Sequence, residues 1–564
     1  MATTNDRPAI VQSDRSILLE TDGPNFEDAR DCLAGFAELV KSPEHIHTYR
    51  LTPLSLWNAA AAGLSAKDIL KGLEQYSKYE IPQNIEAEIE EQIGRYGRLK
   101  LYREEGDRLV IASDDPLLIM ELLNQKSVQP YVEGSPDGKR IFVKPADRGN
   151  VKCALIKLGF PVEDLAGYAD GAPLEIGLLE TSRSGKTFGL RKYQQESVDA
   201  FWVGGANTGG SGVVVLPCGA GKTVVAIGAL ATVKTHTLIL TTNTVALRQW
   251  KNEILDKTDL TPEDVGEYSG ENKEIKPVTL ATYQVLTWRK TKDSPFEHFD
   301  LFDKGQWGLI IYDEVHLLPA PVFRATASLQ ARRRLGLTAT LVREDAREDD
   351  VFSLIGPKKY DVPWKVLEKQ GWIAQALCTE VRVRLPEDER YRYAIADKRG
   401  KFRIASTNPS KARICQMLVE RHKDDNVLII GQYLDQLKHF AKHFDAPIIT
   451  GRTSNSAREK LYKAFRTGEI KLLIVSKVAN FAIDLPDANV AIQISGTFGS
   501  RQEEAQRLGR ILRPKSDGDV IARFYSLVTR DSSDQDFSVK RQLFLTEQGY
   551  RYEIVNEEDL FSAE

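Results

Sequence analysis

GVVVLPCGAGKTVVAIGAL, residues 212–230, is the stretch that decides the fold. Its opening, Gly212–Leu216, reads as a buried strand, and a glycine-containing loop then leads into a helix that starts at Lys222-Thr223. Gly219 and Gly221 carry no Cβ, so backbone N–H groups there can close around phosphate oxygens. The positive end of the helix dipole adds to that attraction. The loop Pro217, Cys218, Gly219, Ala220 and Gly221 is therefore expected to line a nucleotide's phosphates. Lys222 would hold the β and γ groups, and the Thr223 hydroxyl would reach a Mg²⁺ ion. The strict phosphate-loop pattern has glycine where this chain has Leu216, so the shorter G-x-G-K-T form and its strand–loop–helix setting carry the reading. A second SGKT at 184–187 has no apolar strand before it and is assigned to a loop.

Working outward, HTLILTT (236–242), GLIIYD (308–313) and RLGLTAT (334–340) repeat the short apolar run. After a break near 365–410, NVLIIG, PIIT, KLLIVS, NVAIQIS and VIARFYSLV form a second set. Such runs separated by helical stretches indicate parallel sheets covered on both faces, here two in succession. GLIIYDEVH places Asp313 and Glu314 at a strand end. An Asp leaving the sheet edge can hold Mg²⁺, and the adjacent Glu can orient and deprotonate water.

The N-terminal third has another texture. FEDARDCLAGFAELVKS sets Phe26, Ala29, Leu33, Phe36 and Leu39 near a helical period, and an Ala-rich helix ends at Gly63. LKLYREEGDRLVIAS (99–113) reads as a hairpin, KRIFVKP as a strand, RGNVKCALIKLGF as a helix, and the turn-rich stretch up to Leu179 as ending in a strand.

The chain has 564 residues, 42% hydrophobic and 28% charged, an ordinary globular composition for about three or four domains. Lys and Arg number 76 against 80 Asp and Glu. That excludes coating of nucleic acid by bulk charge and leaves a local groove. The five cysteines stand far apart and the histidines form no ligand pattern, which argues against structural zinc. No apolar run reaches the roughly 18 residues of a membrane span. The N-terminus lacks a signal pattern, so a cytoplasmic protein is expected, and the lack of long basic or acidic tails fits a prokaryotic, stand-alone form.

The order of these motifs resembles a superfamily 2 helicase. LRKYQQ (190–195) comes first, with Gln194 matching the adenine-reading glutamine and Arg191 beside it. LPCGAGKT, DEVH (313–316), LGLTAT (335–340), SKVANFAIDLPDA (476–488) and QRLGRILRPK (506–515) follow. Arg343-Glu344-Asp345 after TAT, and the segment 524–555, are similar to the XPB family; RGNVKCALIKLGFPVEDLAGY is similar to its small damage-recognition-like domain. The resemblance implies an α/β chain with two tandem RecA-like parallel-sheet domains, preceded by a helical, winged-helix-like N-terminal region and a small mixed α/β domain. The expected boundaries are 1–127, 128–184, 185–365 and 366–564. It implies ATP and Mg²⁺ as cofactors and single-stranded and forked duplex DNA as partner, with 3′-to-5′ unwinding in excision-type repair.

Gln506, Arg510 and Arg513 share a helix face by spacing and suit charge stabilisation at the γ-phosphate. Asp484 is retained near the nucleotide, whereas Ala479-Asn480 replaces the family's Gly-Asp. Thr242 with the following ALRQW, Thr282-Tyr283 and Arg452 suit a strand's phosphates. Arg343, Glu344 and Asp345 are expected to couple ATP use to strand separation. Residues 389–406 interleave aromatic and basic side chains, as a thumb or a connector. A duplex translocase that leaves strands paired, and a nucleotide-gated repair scaffold, are the alternatives. Pro262-Glu263-Asp264 with Glu274 and Lys276 only loosely mimics a metal nuclease, so cutting is assigned to a nuclease partner of a monomeric motor.

Overall fold

The computed structural model describes residues 7–41, 45–104, 108–135, 137–144, 147–168, 170–206, 208–217, 219–291, 294, 296–298, 300–319, 322, 326, 333–339, 348–362, 367, 376–476, 488–495, 522–547 and 551–560. Cys218, Arg343, Glu344, Asp345, Ala479, Asn480, Asp484, Gln506, Arg507, Arg510 and Arg513 lie outside the described residues. The main division of the chain falls between residues 362 and 363.

The first unit begins with strands β1 (Ala9–Val11) and β2 (Ser16–Glu20), an antiparallel pair, followed by helix α1 (Phe26–Ala34). The helical period was expected to run on to Leu39, but Gly35 caps α1 and Leu39 lies in strand β3 (Glu38–Lys41), followed by β4 (Ile46–Arg50). Three helices come next: α2 (Pro53–Ala61), α3 (Ala66–Tyr76) and α4 (Gln83–Arg95). The first two start on side-chain capping boxes at Thr52 and Ser65. Gly63, at φ +94°, ends α2 as its residue type allows.

Strands β5 (Leu99–Glu104) and β6 (Arg108–Ala112) form the expected antiparallel pair. They are joined by β7 (Val132–Gly134), β8 (Arg140–Val143) and β9 (Val162–Asp164) in one sheet ordered β7-β8-β6-β5-β9. The boundary expected at 127/128 therefore runs through a sheet. The exposed edges of the hairpin need partners, and the short strands after residue 130 supply them. Helices α5 (Pro116–Leu123) and α6 (Arg148–Lys157) contribute Leu118, Ile119, Leu122, Val151 and Leu155 to its core. The strand expected before Leu179 is absent: Pro173 and Leu178 each make a single bridge.

The motor sheet of this unit uses β10 (Ser211–Val215), β11 (Thr237–Thr241), β12 (Val265–Tyr268), β13 (Val278–Thr282), β14 (Leu309–Tyr312), β15 (Arg333–Thr338) and β16 (Lys358–Asp361). All pairings are parallel, in the order β12-β13-β11-β14-β15-β10-β16. Val214, Ile239, Leu280, Ile310 and Leu337 are fully buried, each worth about 1.5–3 kcal/mol by burial. The helices α7 (Lys192–Trp202), α8 (Lys222–Val233), α9 (Thr244–Lys257) and the short α10 (Tyr283–Leu286) pack around this sheet. The N-terminal region is fastened to the base of the sheet by Trp57, Ile156 and Phe352, and by the Lys358 N–H donating to Asn58 Oδ1 at 2.9 Å.

The second unit repeats the architecture with β17 (Ala376–Val383), β18 (Val427–Gly431), β19 (Ile448–Ile449), β20 (Leu472–Ser476), β21 (Val490–Gln493), β22 (Ala522–Thr529) and β23 (Arg551–Asn556). These are again parallel, ordered β19-β20-β18-β21-β22-β17-β23. Residues 387–406 form two helices, Glu387–Ile395 and Lys398–Ser406. Phe402 is buried edge-on against Phe537, and Tyr393 accepts the Ser533 N–H, so only Tyr391 of the three interleaved aromatics is exposed. Among the described residues no helix is long and apolar enough to cross a membrane.

Candidate functional site

The site is built where parallel strands end. In a parallel sheet every carboxyl end lies on one edge, and loops leaving that edge converge there. Here β10 delivers Leu216 to Gly221, β14 delivers Asp313-Glu314, β15 delivers Thr338, and β11 and β13 deliver Thr242 and Thr282.

The phosphate loop has the backbone its sequence demands. Gly219 and Gly221 take φ of +83° and +81°, a region that favours glycine. A Cβ on Gly221 would come within 2.7 Å of Gln194 Nε2, so the glycine also admits the Gln194 side chain. Gln194 is buried, and its Oε1 accepts the Arg191 N–H at 3.0 Å, which fixes the start of α7. Lys222 and Thr223 open α8 directly after Gly221.

The loop and the acidic strand end meet. Lys222 Nζ stands 3.4 Å from Glu314 Oε1, with both side chains largely buried. Glu314 is left-handed, at φ +48°, a sparse conformation for a non-glycine residue. Asp313 Oδ2 accepts the Trp250 indole N–H at 2.9 Å. Loss of solvent first, and the neighbouring Glu314 second, push the Asp313 carboxyl up to about 6. Trp250 and Lys222 oppose that shift without cancelling it. A divalent cation beside Asp313 would favour the ionised form of this carboxyl. Thr223 and Asp313 are a hard-oxygen pair suited to Mg²⁺.

Sequence reading gives no role to one contributor and a different role to two. His316 Nδ1 lies 2.6 Å from Thr338 Oγ1 and 3.5 Å from Glu314 Oε2, so it links the DEVH and TAT strand ends. The histidine two residues past the Glu and the threonine ending the next strand are visible in the sequence, but only the register of β14 on β15 shows that they meet. Trp250, expected with ALRQW on a phosphate track, is buried on α9 against Asp313. Tyr283, expected there too, donates its hydroxyl to the Asp313 carbonyl at 2.9 Å. Both brace the acid instead.

The other track candidates fall as follows. Thr242 directly follows β11, and its hydroxyl accepts from Asn243 Nδ2 at 3.2 Å. Thr282 is buried, and its hydroxyl accepts the Val285 N–H, capping α10. Arg452 is exposed in the turn after β19 of the second unit. Asp264 closes a local turn on Thr261, and Lys276 donates to the Pro262 carbonyl, so the nuclease-like residues are engaged in loop structure. No cluster of three His, Cys, Asp or Glu residues suited to a metal occurs among the described residues.

Known proteins match this chain along nearly its whole length. Residues 367–564 match the family described as ERCC3/RAD25/XPB C-terminal helicase. Residues 187–343 match type III restriction enzyme, res subunit, and residues 9–133 match helicase conserved C-terminal domain. The chain is similar to a DNA 3′-5′ helicase XPB of Kineococcus radiotolerans, 55% identical over 98% of this chain and 97% of that protein. The corresponding protein of Mycobacterium tuberculosis is 53% identical over 98% and 99%. A general transcription and DNA repair factor IIH helicase/translocase subunit of Saccharomyces cerevisiae is 32% identical over 97% and 72%. The chain belongs to the XPB family of superfamily 2 helicases, and it is an ATP-hydrolysing DNA helicase.

Proposed function

We propose that this helicase opens duplex DNA with 3′-to-5′ polarity in nucleotide-excision-type repair, as a monomeric motor whose DNA is cut by a separate nuclease. The carrying observation is the convergence of Lys222, Asp313, Glu314 and Thr338 on one edge of the first motor sheet. Two relatives over the full length bear the name DNA 3′-5′ helicase, and others carry DNA repair in their names. A cytoplasmic, nucleoid-associated location suits such a motor.

In this reading the phosphate loop 217–221 and Lys222 receive the triphosphate, with Gln194 and Arg191 at the adenine end. Mg²⁺, when bound between Thr223 and Asp313, supplies charge to the phosphates. Arriving phosphate draws Lys222 from Glu314, and the released carboxylate orients and deprotonates the attacking water. His316 carries the position of Glu314 to Thr338, whose strand leads on to Arg343, Glu344 and Asp345. By the family resemblance, Gln506, Arg510 and Arg513, with Asp484, would supply charge to the reacting phosphate. Thr242, Thr282 and Arg452 lie along the strand's path.

The test is a set of parallel ATPase rates with single-stranded, duplex and forked DNA and with RNA, beside strand displacement on 3′-tailed and 5′-tailed duplexes. Stimulation by DNA and displacement from the 3′ tail alone are expected; displacement from the 5′ tail alone refutes the polarity. The yeast relative's name includes translocase, which favours a second reading, movement along duplex without separation. DNA-stimulated turnover with no displacement from either tail would select it.

A further inference from the structure

Tryptophan is the costliest residue to leave in water, and this protein buries Trp57, Trp250 and Trp307 to 4% exposure or less. Trp288 is different: it stands 47% exposed two residues past the end of α10, with its backbone N–H donating to the Val285 carbonyl. It is not a loose side chain. The His298 ring lies 6.1 Å behind it, tilted by 40°. His298 meets Tyr268 edge-on, with Nδ1 3.0 Å from the Tyr268 hydroxyl. Lys273 Nζ sits 4.6 Å over the Tyr268 ring and 3.5 Å from His298 Nε2. Burial, then the Lys273 charge, lowers the His298 pKa, so the backing ring is neutral at neutral pH.

The position is as informative as the exposure. Tyr268 ends β12 and α10 follows β13, so the cluster occupies the same sheet edge as Thr242 and Thr282. It lies at the far side from the phosphate loop, five strand steps or about 24 Å along that edge. Arg289 and Lys290 follow Trp288, both exposed. Arg289 packs over Phe296 at 5.3 Å, and Lys290 pairs with Glu297 at 3.3 Å. Asp300, the other acid described in this segment, is paired with Lys304. A flat, braced, half-exposed aromatic ring flanked by Lys273 and Arg289 suits an unstacked base on a phosphate strand.

We infer that Trp288, braced by His298 and Tyr268, is a stacking platform for an unpaired base of the DNA strand. The inference rests on the reading that the strand crosses this edge at Thr242 and Thr282. Phosphate contacts alone hold a strand without gripping any base, whereas a stacking ring at the end of the path marks each base as it arrives.

The test compares affinity for an oligothymidylate with affinity for an abasic oligomer of equal length, using the full-length protein, Trp288→Ala and Trp288→Phe. The wild type is expected to prefer thymidylate. Trp288→Ala should cut that preference by about fivefold to a hundredfold, and Trp288→Phe should keep most of it. The ratio is internal to each variant, so a partly unfolded sample does not alter it. An unchanged ratio in Trp288→Ala, or equal weakening toward both oligomers, overturns the platform; the exposed ring then serves the fold or a protein partner. Thr242→Val and Arg452→Ala separate the two readings. Unchanged affinity for both oligomers there defeats the track, while the ratio in Trp288→Ala alone decides the platform.

Discussion

Strand β15 carries a polar cluster at each end, and the two are built on opposite principles. Near its start, Arg334 is wholly buried, donating to the Leu354 carbonyl at 2.7 Å and to Ser211 Oγ at 3.0 Å, with Tyr168 5.5 Å from its guanidinium. Beside it, Asp164 accepts from Arg148 Nη2 at 2.6 Å and Nε at 3.1 Å, from Lys152 Nζ at 2.8 Å and from the Ala166 N–H at 3.3 Å. That carboxylate is saturated by donors from its own domain. At the end of β15, Thr338, His316, Glu314 and Lys222 are also gathered: His316 Nδ1 holds Thr338 Oγ1 at 2.6 Å, whereas Lys222 and His316 stand 3.4 and 3.5 Å from the Glu314 carboxylate. A closed network specifies a docking geometry; one with longer contacts at its carboxylate, beside glycines in left-handed conformation, leaves room for a ligand to tighten those contacts. The segment 148–168, which resembles the family's small damage-recognition-like domain, spends Arg148 and Lys152 internally on Asp164.

The sharpest way to break this contrast is Lys222→Ala. If the cluster with the longer contacts is the reacting one, phosphate release in the presence of DNA should fall by at least about 10³-fold. Binding of DNA without nucleotide should persist. A near-wild-type rate would remove the motor site from this edge. Glu314→Gln should slow hydrolysis by about 10²–10⁴-fold with ATP still bound, the scale of losing a general base. Loss of nucleotide affinity in that variant would make Glu314 a ligand for metal or phosphate instead.

The closed cluster should respond in stability instead. Asp164→Ala strands two buried cations and should cost about 3–5 kcal/mol in urea unfolding, while turnover per folded molecule changes little. Lys152 and Arg148 hold the Asp164 carboxyl well below the usual carboxylate range against burial's upward pull. A depressed carboxyl stabilises the fold above the unfolded value near about 4, and that contribution is lost as pH falls. The thermal midpoint of the wild type should therefore drop on acidification below about pH 4 more steeply than that of Asp164→Asn. Equal slopes would mean that the cluster contributes no net charge stabilisation.

What the sequence disclosed follows the same division. The candidate site was legible as a set of residues because chemistry fixes residue types at short spacing: glycines beside Lys222, and Asp313-Glu314 on an apolar run. The seven-stranded sheets were legible wherever a run was continuously apolar. Strands with mixed character, such as β16 (KKYD) and β23 (RYEIVN), gave no such signal because they lie at sheet margins. The union of the β5–β6 hairpin with β8 and β9 was hidden because pairing partners far apart in sequence leave no local mark. Asp164 with Arg334, and Trp250 or Tyr283 with Asp313, are likewise meetings of distant residues. Their identities offered only a surface aromatic or an ordinary charge.

Tyr283 gives the finest test of how the two sides of the reacting edge communicate. Its hydroxyl reaches from α10, at the end of β13, to the carbonyl of Asp313 at the end of β14. Between those strands lies β11, whose following helix sends Trp250 to the Asp313 carboxylate. Two segments near the proposed strand path thus hold Asp313, the acid proposed to bind Mg²⁺, through its backbone and its side chain. If DNA shifts either segment, Asp313 moves with it, and that is a physical route for nucleic acid to raise turnover. Tyr283→Phe removes one neutral hydrogen bond and keeps the buried ring, so the expected loss is about 1 kcal/mol, or roughly fivefold. The loss should fall on the ratio of DNA-stimulated to DNA-free ATPase, because the bond is proposed to transmit and not to react. A proportional fall in both rates would show that Tyr283 only supports the strand end. Two unchanged rates would leave Trp250 to carry the coupling, and Trp250→Phe, which keeps an aromatic ring but removes the N–H, would then be the variant that loses stimulation.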